Sequence, residues 1–129
     1  RGTDCLVVSN ETVAPLYYEK LLQNLPDRDV SSVNLPDGEA YKTVATMQTI
    51  LDAIDAALVS KRPVYVHCLA GVGRTGTVVG CWLIRHGRAT GSNVIETIPA
   101  LRQKDPHAHW PSPQSTVQID MVRRWRPGR

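Results

Sequence analysis

His67-Cys68-Leu69-Ala70-Gly71-Val72-Gly73-Arg74-Thr75-Gly76 is the stretch on which the reading of this chain turns. Before it stands Val64-Tyr65-Val66, a β-branched and aromatic run of the kind that forms a short buried parallel strand. After it comes Thr77–Ile84, apolar nearly all round, as in a helix buried in the middle of a domain. Backbone N–H groups of a tight loop, converging at a helix N-terminus, make a concave anion site, and glycines at 71 and 73 allow the φ values that turn those amides inward. Such a loop suits a phosphate-like dianion. Arg74 adds a planar fork of donors for two of its oxygens, and a transition state with charge on the equatorial oxygens gains most from it. Leu69, Ala70, Gly71, Val72 and Gly73 line the anion site with it. Cys68, at the strand end, faces the same anion, and the helix terminus, the amides and the guanidinium are expected to lower its pKa so that the nucleophilic thiolate predominates. His67 continues the strand and points away from the pocket, stiffening the loop by hydrogen bonding. Thr75 can donate its hydroxyl to the sulfur when a covalent intermediate breaks down.

Outward from the loop, strands alternate with helices. Cys5 to Val8 is of strand type, with Ser9 and Asn10 as cap candidates for a helix from about Thr12 to Leu22. Val30 to Leu35 alternates as a second strand, and Pro36-Asp37-Gly38 is a turn. From Thr43 to Ser60, Met47, Ile50, Leu51, Ile54 and Leu58 recur at the three and four spacing of an amphipathic helix, which Lys61-Arg62-Pro63 breaks. His86-Gly87 ends the buried helix after the loop, and Ser92 or Asn93 caps another as far as about Gln103, in which Pro99 predicts a kink or an early stop. Ser112-Pro113 has the cap-then-proline pattern of a helix start, continued by a stripe of Val117, Met121 and Trp125. This order argues for an α/β fold, a central mainly parallel sheet flanked by helices.

With 129 residues, 42% hydrophobic and 21% charged, the chain is expected to form a single domain over 1–129, too short for two. No apolar run is long enough to span a bilayer. The chain opens on Arg1 with no secretion leader in view, as a trimmed fragment would. The formal charge is +3, from fifteen basic and twelve acidic residues. Arg123, Arg124, Arg126 and Arg129 account for the excess: without them eleven basic residues face twelve acidic, a balance of −1, so the body of the domain has no basic footprint for nucleic acid. Three scattered cysteines, Cys5, Cys68 and Cys81, lack the close pairs of a zinc site or disulfide scaffold, which suggests a reducing, cytoplasmic compartment. Cys5 and Cys81 fit as packed core thiols.

Cys68 through Gly76 resembles the signature of the cysteine-dependent protein tyrosine phosphatases, His-Cys, five residues, then Arg-Ser/Thr-Gly, with no gap in spacing. Size and layout resemble the compact dual-specificity type. The resemblance implies that Arg1-Gly2 ends a helix before the family's second strand, leaving the N-terminal strand missing or abbreviated. It also implies that Leu35-Pro36-Asp37 belongs to the loop bearing the general acid.

Expulsion of an alkoxide or phenoxide requires a proton donor, for which the sequence offers Asp27, Asp29, Asp37, Glu39, Asp52 and Asp55. Asp52 and Asp55 read as a solvated helix face. Asp37 is preferred for its Pro-Asp-Gly turn and for its place in the resemblance, against a plain turn-forming role beside Gly38. Where the family often has a proline a few residues after the acid, this chain has Ala40-Tyr41-Lys42. Gln114 and Gln118, four apart, share a helix face and resemble the paired glutamines of tyrosine phosphatases, so Gln114 is expected to position the hydrolytic water and Gln118 to help bind substrate. His107 and His109 flank Ala108 beside Trp110 as a rim loop; no third ligand makes them a metal site, and the chemistry requires neither metal nor cofactor. Leu69 and Val72 stand where lipid phosphatases of the superfamily carry lysines, which favours a singly phosphorylated ester: phosphotyrosine, or phosphoserine and phosphothreonine with a shallow pocket. The loop would hold phosphate or vanadate-like oxyanions. Two other readings are a catalytically silent phosphoprotein-binding module and a rhodanese-type sulfurtransferase. Arg74-Thr75-Gly76 and the glutamine pair disfavour the latter.

Overall fold

The computed structural model describes residues 5–62, 64–66, 68 and 71–129. The expectation for Arg1-Gly2 lies outside them. The chain forms two compact units, Arg1–Tyr65 and Val66–Arg129.

The first unit opens with β1 (Cys5–Asn10), α1 (Ala14–Gln23) and β2 (Val30–Leu35). The strands pair in parallel from Cys5 opposite Val30 to Asn10 opposite Leu35, and α1 is the crossover that a parallel pair requires. Asn10 makes the turn out of β1: its Oδ1 accepts from the amides of Thr12 (3.0 Å) and Val13 (2.8 Å), and Pro15 sits in the first turn of α1, where its missing N–H costs nothing. A single 3₁₀ turn, Glu39–Tyr41, leads into α2 (Val44–Val59), whose N-cap Thr43 accepts from the Thr46 amide at 3.2 Å. The face α2 buries runs through Met47, Leu51, Ile54 and Ala57, against both strands; Leu58, expected on that stripe, is 43% exposed. Past the end of α2, Lys61 takes a left-handed φ of 56° while the amides of Lys61 and Arg62 return to the carbonyls of Leu58 and Ala57. This Schellman closure gives the break expected there a geometric cause.

Val64-Tyr65-Val66 forms no strand. Three residues are few for a ladder, and the central Tyr65 ring is 82% exposed, whereas a parallel strand needs both faces covered. Among the described residues the sheet has two strands, so the α/β fold stands with abbreviated strand content.

The second unit packs α3 (Gly73–Arg85), α4 (Val94–Leu101) and α5 (Thr116–Arg123) against one another. Gly80 makes room for this packing: a β-carbon there would stand 2.7 Å from Val122 Cγ1 and 3.2 Å from Ile98 Cδ1. Around it Cys81, Ile84, Val94, Ile98 and Val122 are buried. α3 begins four residues earlier than the apolar run suggests, so Gly73-Arg74-Thr75-Gly76 is already its first turn. α4 contains Pro99 and ends at Leu101, the early stop that a proline predicts.

The expected start of the last helix at Ser112-Pro113 is corrected. α5 starts at Thr116 behind Ser115, whose hydroxyl accepts from the Gln118 amide at 3.2 Å while Gln118 Oε1 accepts from the Ser115 amide at 3.2 Å, a reciprocal capping box. The expected stripe shifts with it. Val117 is 78% exposed, and Val122 and Trp125 fill the core. No described helix is long and apolar enough to cross a membrane.

Candidate active site

Cys68 is half-buried beside the first turn of α3. Burial pushes its thiol up, but the Thr75 hydroxyl donating to Sγ at 3.3 Å, together with the amides of Thr75, Val72 and Gly71, outweighs this and lowers the pKa from 9.0 to about 6. At pH 7 the thiolate therefore predominates by about ten to one. The threonine and the loop amides work against burial here. Arg74 projects from the first turn of α3 and is exposed, open to an incoming anion. Gly71 has φ 67°, the left-handed conformation that glycine tolerates and that lets its amide turn to the sulfur. His67, Leu69 and Ala70 lie outside the described residues. Cys81, fully buried in α3, is pushed up to about 12 by desolvation and is inert by comparison. Cys5 is half-buried in β1.

Gly73 is glycine for a different reason from the one expected. Its conformation is helical, and what it supplies is space: a β-carbon there would stand 3.1 Å from Gln114 Oε1 and 3.1 Å from Gln118 Oε1. Both glutamines thus reach the start of α3, although they do not share a helix face. Gln114 precedes α5, and the Gln118 side-chain Oε1 accepts from the backbone amides of Gln114 (3.1 Å) and Ser115 (3.2 Å). Gln118 is thereby held as a cap, while the exposed Gln114 side chain lies beside Gly73.

Sequence reasoning missed Ser112 as a site residue. Its hydroxyl donates to the Val72 carbonyl at 2.7 Å, and it occupies the place that a β-carbon on Gly76 would need. Nothing local in the sequence marks a contact between residues 40 apart.

Arg102 lines a cleft of about 150 Å³ together with Gly71, Thr75, Gly76 and Ser112. Asp105 organises the following loop: it accepts from Arg102 Nη2 at 2.8 Å and, through Oδ1, from the His107 amide at 2.8 Å. The His107 amide first, and Arg102 next, hold its carboxyl below the ordinary carboxylate range. His107 in turn packs on Trp110 at a ring tilt of 51°, with ring centres 4.4 Å apart. Among the described residues no cluster of His, Cys, Asp or Glu is gathered to hold a metal ion.

Asp37 belongs to the first unit, on the turn after β2. Its Oδ1 accepts from the Gly38 amide at 2.8 Å and from Asn10 Nδ2 at 3.5 Å, and its amide donates to Glu11 Oε1 at 3.3 Å. These are the bonds of a turn-forming aspartate.

A cysteine beside the first turn of a helix, bonded by a threonine hydroxyl and loop amides within an α/β chain, is an arrangement in keeping with the tyrosine phosphatase superfamily. The fold agrees with that class: the structure titled "Crystal structure of Tk-PTP in the active form" superimposes with a TM-score of 0.64, covering 95% of this chain and 77% of that one at 24% identity. The family model described as "Tc-R-P: Polymorphic toxin system, DSP-PTPase phosphatase" matches residues 22–88, and the chain belongs to that family. Another likeness is of a different kind. The 3-dehydroquinate synthase of Nitrosococcus oceani is 42% identical over 79 residues, 61% of this chain and 20% of that protein. That of Pseudomonas aeruginosa (strain LESB58) is 57% identical over 53 residues, 41% of this chain and 14% of that protein. The chain spans a fifth or less of the length of these relatives.

Proposed function

We propose that the protein hydrolyses phosphate monoesters, phosphotyrosine in proteins foremost and phosphoserine or phosphothreonine as further substrates, through a phosphocysteine on Cys68. The observation that carries this reading is the placement of Cys68 beside the first turn of α3, where the Thr75 hydroxyl donates to its Sγ at 3.3 Å and loop amides bond the sulfur. The thiolate attacks phosphorus, forming the S–P bond as the ester P–O bond breaks, and Asp37 protonates the departing oxygen. Asp37 then takes a proton from water, whose oxygen attacks phosphorus and releases inorganic phosphate, while the Thr75 hydroxyl stabilises the departing thiolate. Arg74 and the loop amides hold the equatorial oxygens in both steps. Gln114 orients the water, from its position beside Gly73. Gln118, as the cap of α5, keeps Gln114 in place. The mechanism requires a free Cys68 thiol, which fits a reducing, cytoplasmic setting.

Purified protein is expected to cleave aryl phosphates in the presence of chelators, to be blocked by vanadate, and to lose turnover on Cys68→Ser. Undiminished turnover in that variant contradicts the assignment. Asp37→Asn should lower kcat on phosphopeptides about 10²-fold or more while sparing affinity, and an unchanged rate moves the acid elsewhere. Binding of phosphopeptides without turnover would point to a silent binding module, and thiosulfate-dependent persulfide on Cys68 to a sulfurtransferase. The segment shared with 3-dehydroquinate synthases favours a second, more limited reading: that part of the chain is synthase-type sequence serving as scaffold, with no synthase activity expected from a segment that matches a fifth of a synthase. Formation of 3-dehydroquinate by the purified protein would overturn that.

A further inference from the structure

We infer that Ser112 is a positioning residue of the phosphate site, fixing the Val72–Gly73 peptide so that its amide is presented to the substrate's phosphate oxygens. The inference rests on the phosphatase reading above and extends it to a residue outside the signature loop.

In a trans peptide the carbonyl of one residue and the N–H of the next point in opposite directions. The Val72 carbonyl accepts two hydrogen bonds, from Ser112 Oγ at 2.7 Å and from the Gly76 amide at 3.0 Å, which together occupy both of its lone pairs. Val72 is wholly buried and Ser112 is 2% exposed, so water does not compete for either bond. With the carbonyl held along α3, the Gly73 amide points out of the helix N-terminus, the direction in which such termini bind anions. The Val72 amide itself bonds the Cys68 sulfur. One hydroxyl thus anchors a residue whose two peptide groups serve the nucleophile on one side and the oxyanion on the other.

Val72 has no side-chain cap of its own, and Ser112 supplies from 40 residues away the rigidity that a local cap would give. The glycine of Arg74-Thr75-Gly76 makes this possible. A β-carbon at 76 would collide with the Ser112 hydroxyl and stand 3.0 Å from Pro113 N, so Gly76 is the space into which the anchoring group fits.

The test is Ser112→Ala, with Ser112→Cys as a variant of similar volume and weaker donor strength. Three quantities are read on each folded protein: kcat and KM on an aryl phosphate, the dissociation constant of vanadate, and the pH dependence of Cys68 alkylation by iodoacetate. Donors aimed at a developing oxyanion are each worth roughly 10²–10³ in rate, and loosening one without removing it should cost about tenfold in kcat and in vanadate affinity, with KM changed less. The midpoint of alkylation should move to higher pH, with Ser112→Cys falling between wild type and Ser112→Ala. A merely structural serine would lower the melting temperature and leave these readouts within about twofold of wild type, which overturns the inference. If Ser112→Ala does not fold, the alkylation midpoint of Ser112→Cys decides. If wild type neither turns over aryl phosphate nor binds vanadate, the phosphatase reading fails by itself, and the alkylation profile still tests whether Ser112 acts on the loop.

Discussion

The Thr75 hydroxyl, 3.3 Å from Cys68 Sγ, is the side-chain donor that works against burial, and its removal should be felt first in the pH dependence of the reaction. Attack requires the thiolate, so activity falls as pH drops below about 6. In Thr75→Ala the sulfur loses a charge-assisted bond, its pKa climbs back toward 9.0, and the acid limb of kcat/KM moves to higher pH. A loss of about tenfold at pH 6 that shrinks on the alkaline side is expected, and a limb that stays in place would show that the amides alone set the thiolate. At this scale the legible features are the local ones: the contact of Thr75 with Cys68 and the left-handed Gly71 follow from the loop's own pattern. Gly73 and Ser112 do not. The reason for each is a residue about 40 positions away, and single-sequence patterning carries no trace of such contacts.

Helices in the second unit meet at a glycine, and that junction is the sharpest packing test available. Ala in place of Gly80 would set a methyl group 2.7 Å from Val122 Cγ1, an overlap that should cost about 1–3 kcal/mol by denaturant unfolding. Trimming the neighbour should return part of it: Gly80→Ala with Val122→Ala is expected to be more stable than the sum of the single changes implies, with a coupling of about 0.5–3 kcal/mol. Strict additivity would place the strain elsewhere. Element existence was legible wherever an apolar face repeats, as through Met47, Leu51 and Ile54 in α2. Boundaries and short strands were less so. The proline after Ser112 imitates a helix start, yet the reciprocal bonds of Ser115 and Gln118 set the true one. Val64-Tyr65-Val66 has strand-like composition without a covered face for Tyr65. Both outcomes depend on what tertiary neighbours supply, which composition does not encode.

For the molecule as a whole, the lowered Cys68 pKa links folding to pH. The folded state releases its proton near 6 and the unfolded state near 9.0, so between those values the unfolded chain binds more protons and stability rises with pH. This contribution is complete above 9.0 and is lost as pH falls through about 6. Cys68→Ala lacks it, and the difference in melting temperature between wild type and this variant should therefore widen in favour of wild type from pH 6 to pH 9; a constant difference would mean that the thiol is not perturbed. The alternation of strand and helix was enough to foretell an α/β chain, the loop motif added the resemblance to tyrosine phosphatases, and the fold shared with Tk-PTP agrees. The central claim, that phosphate passes through Cys68, is tested most directly by acid-quenching the protein during turnover of a phosphotyrosine peptide and locating the phosphoryl group by mass spectrometry. A phosphorylated Cys68, absent from Cys68→Ser, is the predicted result. Steady hydrolysis with no adduct on Cys68, undiminished in Cys68→Ser, would contradict it.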